Sequence, residues 1–259
     1  VLLVANILEM DGSSFFGIDT RGMLVFNNFI LLFNAIVFVC MLLFFLLSGR
    51  DMEKVGKDLG EYYSLLFFIL CGVAVVASFN NLLLLFLGIE IISIPLYVLT
   101  GSDKHNLKSN EASLKYFLMG AFSTGLMLMG IALVYGAKGS FSMSVIGEGN
   151  AALTPMLSAG LLMLLFSMAF KVSAAPFHFW TPDVYDGAPV VFTSFMATIV
   201  KVAAFVAFIR LFQSCFANLQ GEWQTVVAII TASTLFIGNI TAVFQQSVKR
   251  MMAYSSISQ

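Results

Sequence analysis

Long runs of apolar residues, each bounded by polar or charged residues, dominate the sequence. A helix needs about 20 apolar residues to cross a bilayer core of ~30 Å. The runs lack the alternation of barrel strands, and lipid offers the backbone no hydrogen-bond partners, so they predict transmembrane helices. The predicted fold is all-α, a multi-pass membrane helix bundle of about seven complete spans, one of them broken. The seven runs cover residues 25–47, 62–79, 82–100, 112–136, 156–185 with an interruption, 189–211 and 223–245.

The composition supports a membrane protein and excludes two other classes. Of the 259 residues, 59% are hydrophobic and 10% charged, whereas soluble domains carry roughly 45–50% apolar and about 25% charged residues. The net charge of −1 leaves no basic surplus for nucleic acid. Soluble enzymes and nucleic-acid binders are therefore excluded, and the lipid bilayer is the expected surrounding.

Both ends of the sequence suggest a longer protein. The chain begins at Val1 inside an apolar stretch, and it stops at Gln259 shortly after a basic pair, where a further helix is expected to start. We therefore expect an internal piece of a longer protein.

Lysine and arginine are distributed unevenly between the loops, which predicts the orientation of the spans. Cytoplasmic loops of membrane proteins retain positive charge. The loops at 48–61, 101–111 and 246–251 are thus expected to face the cytoplasm, and 9–24, the Asn80–Asn81 turn, 137–155 and 212–222 the opposite compartment. The first group holds Arg50, Lys54, Lys57, Lys104, Lys108, Lys249 and Arg250, and the second only Arg21 and Lys138.

Four ionisable residues inside predicted spans stand out as needing an explanation: Glu90, Lys115, Lys171 and Lys201. A charge at the bilayer centre costs about 2.5–3.5 kcal/mol on insertion scales, so each requires a reason. Lys115 lies about one turn into its helix, and its long side chain has the alternative of extending to the headgroups. Glu90 and Lys201 are too deep for that, and their alternative is a static structural ion pair.

The fifth run is predicted to be a broken helix. After Lys171 the sequence reads VSAAPFHFWTPDVYDGAP, and Pro176 removes the hydrogen bond to the carbonyl of Val172 and clashes with it. Irregular backbone at membrane depth occurs where it is buried in protein or lines a wet cavity, and such breaks are common ion sites in transporters. The break also places His178, whose imidazole suits proton transfer near neutral pH, close to Lys171.

These residues predict a proton relay. A lysine in a dry site holds its proton when a carboxylate is near and tends to release it when the carboxylate withdraws. We expect Glu90 to lie close to Lys115 or Lys171, and Glu90, Lys115, Lys171, Lys201 and His178 to form a row across adjacent helices. The sequence shows neither a nucleophile with its base nor a metal-ligand cluster nor a phosphate-binding loop, so covalent chemistry is not expected.

At these motifs the sequence resembles a known family, the antiporter-like membrane subunits of proton-translocating NADH:quinone oxidoreductase, or respiratory complex I. The matching segments are FKVSAAPFHFWTPDVYDGAP with the following Lys201, LGIEIISIPLYVL, EASLKYFLMGAFSTG and VKRMMAYSSIS, which together span nearly the whole chain. TPDVY and Lys201 favour the subunit N branch of the family over the branches that look like sodium/proton antiporter proteins.

The resemblance implies two inverted five-helix repeats, each with one broken helix, in a protein with roughly twice these spans. Residues 1–61 would then be a flanking span with loops, 62–211 the first repeat, and 212–259 the truncated start of the second. The resemblance also implies that Glu90, Lys115, Lys171 and Lys201 belong to the proton path and that His178 is linked to it. Many relatives have histidine at the position of Gln259, so a role for that position is in doubt.

The function implied by the resemblance is proton translocation by a membrane-arm subunit of complex I, coupled to NADH oxidation and quinone reduction elsewhere in the complex. The chain would be part of an enzyme without redox chemistry of its own. It would bind no cofactor, with flavin, iron–sulfur clusters and quinone held by partner subunits. The expected partners are the other membrane-arm subunits, and the expected location is a bacterial inner membrane rather than that of an organelle. A sodium/proton antiporter and a structural scaffold remain the alternatives.

Overall fold

The computed structural model of the protein describes residues 2–11, 20–56, 59–148 and 154–259. The described residues form an all-α bundle, which confirms the predicted fold class. Within the described part of the chain, six helices are long and apolar enough to cross a membrane, and the fifth predicted run is the exception because it is interrupted. The six are α2 (Asn28–Val55), α3 (Leu59–Ser78), α4 (Leu82–Thr100), α5 (Leu107–Lys138) and the continuous segments Val190–Cys215 and Ala217–Val243.

Two helices are longer than their apolar runs. Helix α2 continues to Val55 rather than ending near residue 47, and Lys54 pairs there with Asp51 at 2.6 Å. Helix α5 begins at Leu107, where the Asn106 side chain accepts a hydrogen bond from the Lys108 amide at 3.0 Å. Polar residues and caps thus extend these helices into water, beyond the apolar length that predicts a span.

Short helices and a tight turn complete the first half of the chain. Helix α1 covers Leu2–Met10 and α6 covers Met143–Gly147. The Asn80–Asn81 turn joins α3 and α4 as predicted, and isolated bridges pair Phe79 with Leu24 and Asn81 with Ser142.

Helix α5 packs closely on α7 (Pro155–Lys171) through small residues. A Cβ atom added to Gly130 would lie 3.0 Å from the carbonyl oxygen of Gly160, and one added to Gly160 would lie 3.0 Å from that of Gly130. The hydroxyls of Ser123 and Ser167 are 3.2 Å apart at the same interface. Membrane helices usually associate through small residues and hydroxyl contacts, because in lipid there is no hydrophobic effect to drive helices together.

The interruption of the fifth run lies where the sequence predicts it. Helix α7 ends at Lys171 and α8 (Trp180–Gly187) begins after eight non-helical residues, 172–179. The Ala175 amide in this break donates to the Thr234 Oγ1 of a neighbouring helix at 2.8 Å. The open backbone is therefore satisfied inside the protein, as membrane depth requires.

The sixth span is one continuous helix with two π-helical segments. It comprises α9 (Val190–Phe195), a π segment at Met196–Val200, α10 (Lys201–Arg210) and a second π segment at Leu211–Cys215. A 3₁₀ turn leads into α11 (Gln220–Val243), and α12 (Val248–Ser258) lies where a further helix is expected to start. Single π-helical turns occur frequently at functional sites.

The three lysine-rich loops meet at one end of the bundle, here called the basic face. A cleft of about 660 Å³ is lined by Lys54, Asp103, Lys108 and Lys249, which come from all three loops. Lys57 lies outside the described residues. At the other end, the opposite face, the Asn218 side chain donates to the Gly147 carbonyl at 2.6 Å.

We predict that the basic face is cytoplasmic. An impermeant maleimide should label Lys54→Cys only from the cytoplasmic side and the control Asn218→Cys only from the periplasmic side, because positive loops are retained inside. The measurement uses a chain whose Cys40, Cys71 and Cys215 are replaced. Labelling of position 54 from the periplasm would reverse the orientation.

Candidate functional site

Lys171 is the last residue of α7, at the edge of the helix break. Its ammonium group donates to the Ser93 hydroxyl of α4 at 3.0 Å. The break therefore directs the charge inward, onto a polar group of a neighbouring helix.

Lys201 is the first residue of α10, directly after the first π segment. Its side chain is buried and donates to the Ser256 hydroxyl of α12 at 2.9 Å and to the carbonyl of the same residue. A neutral hydroxyl and a carbonyl hold this cation in place of a carboxylate.

Lys171 and Lys201 line the same cavity, called the central cavity below. Its volume is about 40 Å³. Most of the wall is apolar or aromatic and includes Tyr116, Trp180 and Tyr185. The structure thus brings together two of the five predicted site residues around one space.

Glu90 lies three residues before Ser93 on α4, on the same side of the helix. It does not form an ion pair with Lys171 within 4.0 Å. The Oε1 atom of Glu90 is buried and has no hydrogen-bond partner among the described residues. Glu90 thus shares a side of α4 with Ser93, the residue to which Lys171 donates.

Lys115 does not form an ion pair with Glu90, so the expected pairing of these two residues is wrong. Its ammonium lies 2.7 Å from Asp183 and 2.7 Å from Glu111, and Arg250 lies 2.9 Å from the other oxygen of Asp183. These four residues form the ion cluster, which opens toward the basic face, and the Lys115 side chain is 42% exposed. The long side chain of Lys115 thus pairs with carboxylates of the protein that lie nearer water.

His178 lies in the helix break, beside α12. The centre of its ring is 6.5 Å from that of Tyr254. Its Nδ1 atom is buried and meets no described partner at hydrogen-bond geometry. His178 does not line the central cavity. The five residues predicted to form one row therefore lie in three places. Lys171, Lys201 and Glu90 form the central group, Lys115 belongs to the ion cluster, and His178 lies at the break.

Comparison with known proteins places this arrangement in a family. The profile of the family described as NADH:quinone oxidoreductase/Mrp antiporter, TM, matches residues 79–259, which include all five predicted site residues. This chain belongs to that family.

Two curated relatives carry the name of one branch. NADH-quinone oxidoreductase subunit N of Cytophaga hutchinsonii is 46% identical over 238 residues, covering 92% of this chain and 52% of the relative. Subunit N of Trichlorobacter lovleyi is 41% identical, covering 90% of this chain and 49% of the relative. The resemblance to subunit N is confirmed, and the chain spans about half the length of these curated relatives.

Solved structures of the family share the fold. A chain of respiratory complex I from Thermus thermophilus with bound aureothin matches with a TM-score of 0.75 and 33% identity, covering 99% of this chain and 55% of that one. A chain of the Mrp complex from Dietzia sp. matches with a TM-score of 0.80 and 20% identity, covering 99% and 50%. The second match supports the fold alone.

Sequence reasoning missed the residues that hold the site lysines in place. Asp183 stands in the quoted TPDVY segment, yet its role in pairing Lys115 with Arg250 depends on three helices meeting. Ser93 and Ser256 were missed because isolated serines are common in membrane helices. The one sequence signal for these residues was that Asp183, an acidic residue, follows shortly after the predicted helix break.

We predict that Asp183→Asn loosens the start of α12, because the ion pair between Asp183 and Arg250 is lost. Backbone amides of residues 248–251 should exchange hydrogen up to about fivefold faster in the purified complex, since a part-exposed pair contributes about 0.2–1 kcal/mol. Exchange is read by mass spectrometry. The control Glu111→Gln removes a partner of Lys115 but leaves Arg250 paired, so exchange at α12 should stay unchanged. Equal effects of the two substitutions would contradict the role of Asp183.

Proposed function

We propose that this chain belongs to a proton-translocating membrane subunit of NADH:quinone oxidoreductase and that Lys171 and Lys201 carry the protons. The observation that supports the proposal most directly is that both lysines line the central cavity. The redox reaction would take place in partner subunits that hold flavin, iron–sulfur clusters and quinone. The other membrane-arm subunits of a bacterial inner-membrane complex would be the partners.

The size of the central cavity suits water-mediated proton transfer. A buried water requires roughly 10–15 Å³ of such volume and two to four polar partners. The cavity of about 40 Å³ has room for two or three waters, and the residues that line it include Lys171, Lys201, Ser93 and Tyr185. A short water chain would connect Lys171 on α7 with Lys201 on α10.

Glu90 would control the proton on Lys171. A carboxylate near an ammonium favours the charged lysine, and the attraction weakens as the two separate. Ser93 already bonds Lys171 at 3.0 Å on the side of α4 that carries Glu90. A small shift of α4 or α7 would exchange this bond for a direct contact with Glu90, whose buried Oε1 has no other described partner. Glu90 is therefore the proposed switch.

Lys115 and His178 would act at the ends of the path. Lys115 belongs to the ion cluster, which lines an opening of about 210 Å³ toward the basic face, while the adjacent Tyr116 lines the central cavity. Protons would be collected at the cluster and pass inward along this part of α5. His178 lies beside Tyr254 of α12 and would link the path to that helix.

A sodium/proton antiporter is the second candidate, because the family description includes Mrp antiporters. The identities of 41–46% to proteins named subunit N favour the first candidate. A structural scaffold, the third alternative, would need each buried charge to be paired, yet Glu90 and Lys201 have no described ion-pair partner.

We predict that Lys171→Arg abolishes most coupled proton pumping while NADH:quinone reduction continues. Arginine retains the charge and the donors, but its proton is not released at any accessible pH. Pumping is measured in vesicles that contain the assembled complex. Lys171→Ala should give the same loss.

The control is Lys104→Arg, in a loop at the basic face and outside the central cavity. It should pump at the wild-type rate. Normal pumping in Lys171→Arg would show that only the charge is needed, which is the expectation for a scaffold.

We predict that Glu90→Gln reduces pumping steeply and that Glu90→Asp retains part of it. Glutamine preserves shape and hydrogen bonding but removes the field that acts on Lys171, whereas aspartate keeps the charge on a shorter stem. The same vesicle assay reports both variants. Equal activity of Gln and Asp variants would exclude an electrostatic switch.

A further inference from the structure

Arg210 is a membrane-embedded cation that the proposed relay does not use. It is the last residue of α10, directly before the second π segment. Its guanidinium donates to the carbonyls of Ala77 and Phe79, at 2.8 Å for the latter, and lies 4.9 Å from the centre of the Phe79 ring. No described carboxylate lies within ion-pair distance of it.

Arg210 lies between the central cavity and the opposite face. The cavity wall includes Val76 of α3 and Ala204 of α10. Ala77, the acceptor of Arg210, directly follows Val76, and Arg210 is six residues beyond Ala204, which is about 9 Å along a helix axis. The span starts at Val190 beside the basic-face cleft, so this displacement points toward the opposite face.

The chemistry of Arg210 differs from that of the two cavity lysines. A lysine in a dry site can give up its proton, whereas a guanidinium stays charged. The carbonyls at the end of α3 carry partial negative charge, so they hold the cation without neutralising it. A permanent positive charge therefore stands where a proton leaving the cavity toward the opposite face would pass.

We propose that Arg210 is an electrostatic barrier that closes the central cavity toward the opposite face. The inference rests on the proposed function, since it requires a proton path through the cavity. Protons on Lys171 and Lys201 would then leave the central cavity by way of the neighbouring helices, rather than directly toward the opposite face. At an effective dielectric constant of ~20, one unit charge about 9 Å away lowers local proton occupancy roughly twentyfold.

Passive proton leak through the whole complex tests the barrier. Vesicles containing the complex are given a pH gradient without NADH, and proton flux is followed with a pH dye. Arg210→Gln can still donate to one carbonyl but has no charge, so its leak should rise roughly ten- to twentyfold. Arg210→Lys keeps the charge with poorer hydrogen-bond geometry and should stay within twofold of the wild type.

Two results would overturn the inference. If both variants are as tight as the wild type, no barrier resides at Arg210. If both leak equally, Arg210 only fastens the end of α3. Should Arg210→Gln not assemble, Arg210→His takes its place, with leak expected at pH 8 and absent at pH 5.5, each relative to wild type at that pH. Equal leak at both pH values would contradict the barrier.

A second substitution links the leak to the lysine path. In Arg210→Gln, the further change Lys201→Met should abolish the leak, and a persistent leak would place the barrier on some other route and overturn the inference. Failure of the proposed function would be detected separately. It would appear as normal NADH-driven pumping in Lys171→Arg, a variant in which Arg210 is unchanged.

Discussion

The break in the fifth span depends on hydrogen bonds that replace those of the lost helix turn. Lipid offers no partners, so an open backbone persists only where the protein supplies them. The Ala174 amide bonds the Ala169 carbonyl at 2.8 Å, the Ala175 amide bonds Thr234 at 2.8 Å, and the Trp180 indole bonds the Phe170 carbonyl at 3.1 Å. Because these partners come from α7, α8 and α11, the break and the packing of the bundle form together.

The second half of the broken helix, α8, is held by residues of α12, which lies outside the repeat predicted for residues 62–211. Lys249 donates to the carbonyls of Asp186 and Ala188 at the end of α8, where a cation also suits the helix dipole. Arg250 pairs with Asp183 on the same half-helix. The basic pair that indicates the orientation thus also attaches α12 to α8, and movement of α12 would be transmitted to the ion cluster.

The sequence predicts the spans and the break because both depend on local rules. Apolar length decides whether a helix crosses lipid, and Pro176 cannot continue α7. The predicted end of α2 is too early and the predicted start of α5 too late, since polar caps extend helices into water. The pairing of Lys115 with Asp183 instead of Glu90 could not be predicted, because several helix arrangements satisfy the same apolar pattern and only one of them brings α5 to α8.

The two ends of α10 carry cations of different chemistry, a lysine that can release its proton and an arginine that cannot. The span is therefore asymmetric along its axis. Lys201 is the first residue of α10 and lies beside the central cavity, and Arg210 is its last residue and lies toward the opposite face. Each is adjacent to a π segment, and the extra residue in such a segment rotates the next helical turns without ending the helix. Within α10 the helix is regular, and the nine-residue step from Lys201 to Arg210 turns through about 180° at 3.6 residues per turn. Lys201 therefore faces Ser256 of α12 while Arg210, on the other side of the same helix, faces α3. Apolar patterning at a single helical period does not describe the whole span, because the π segments before and after α10 change the period there.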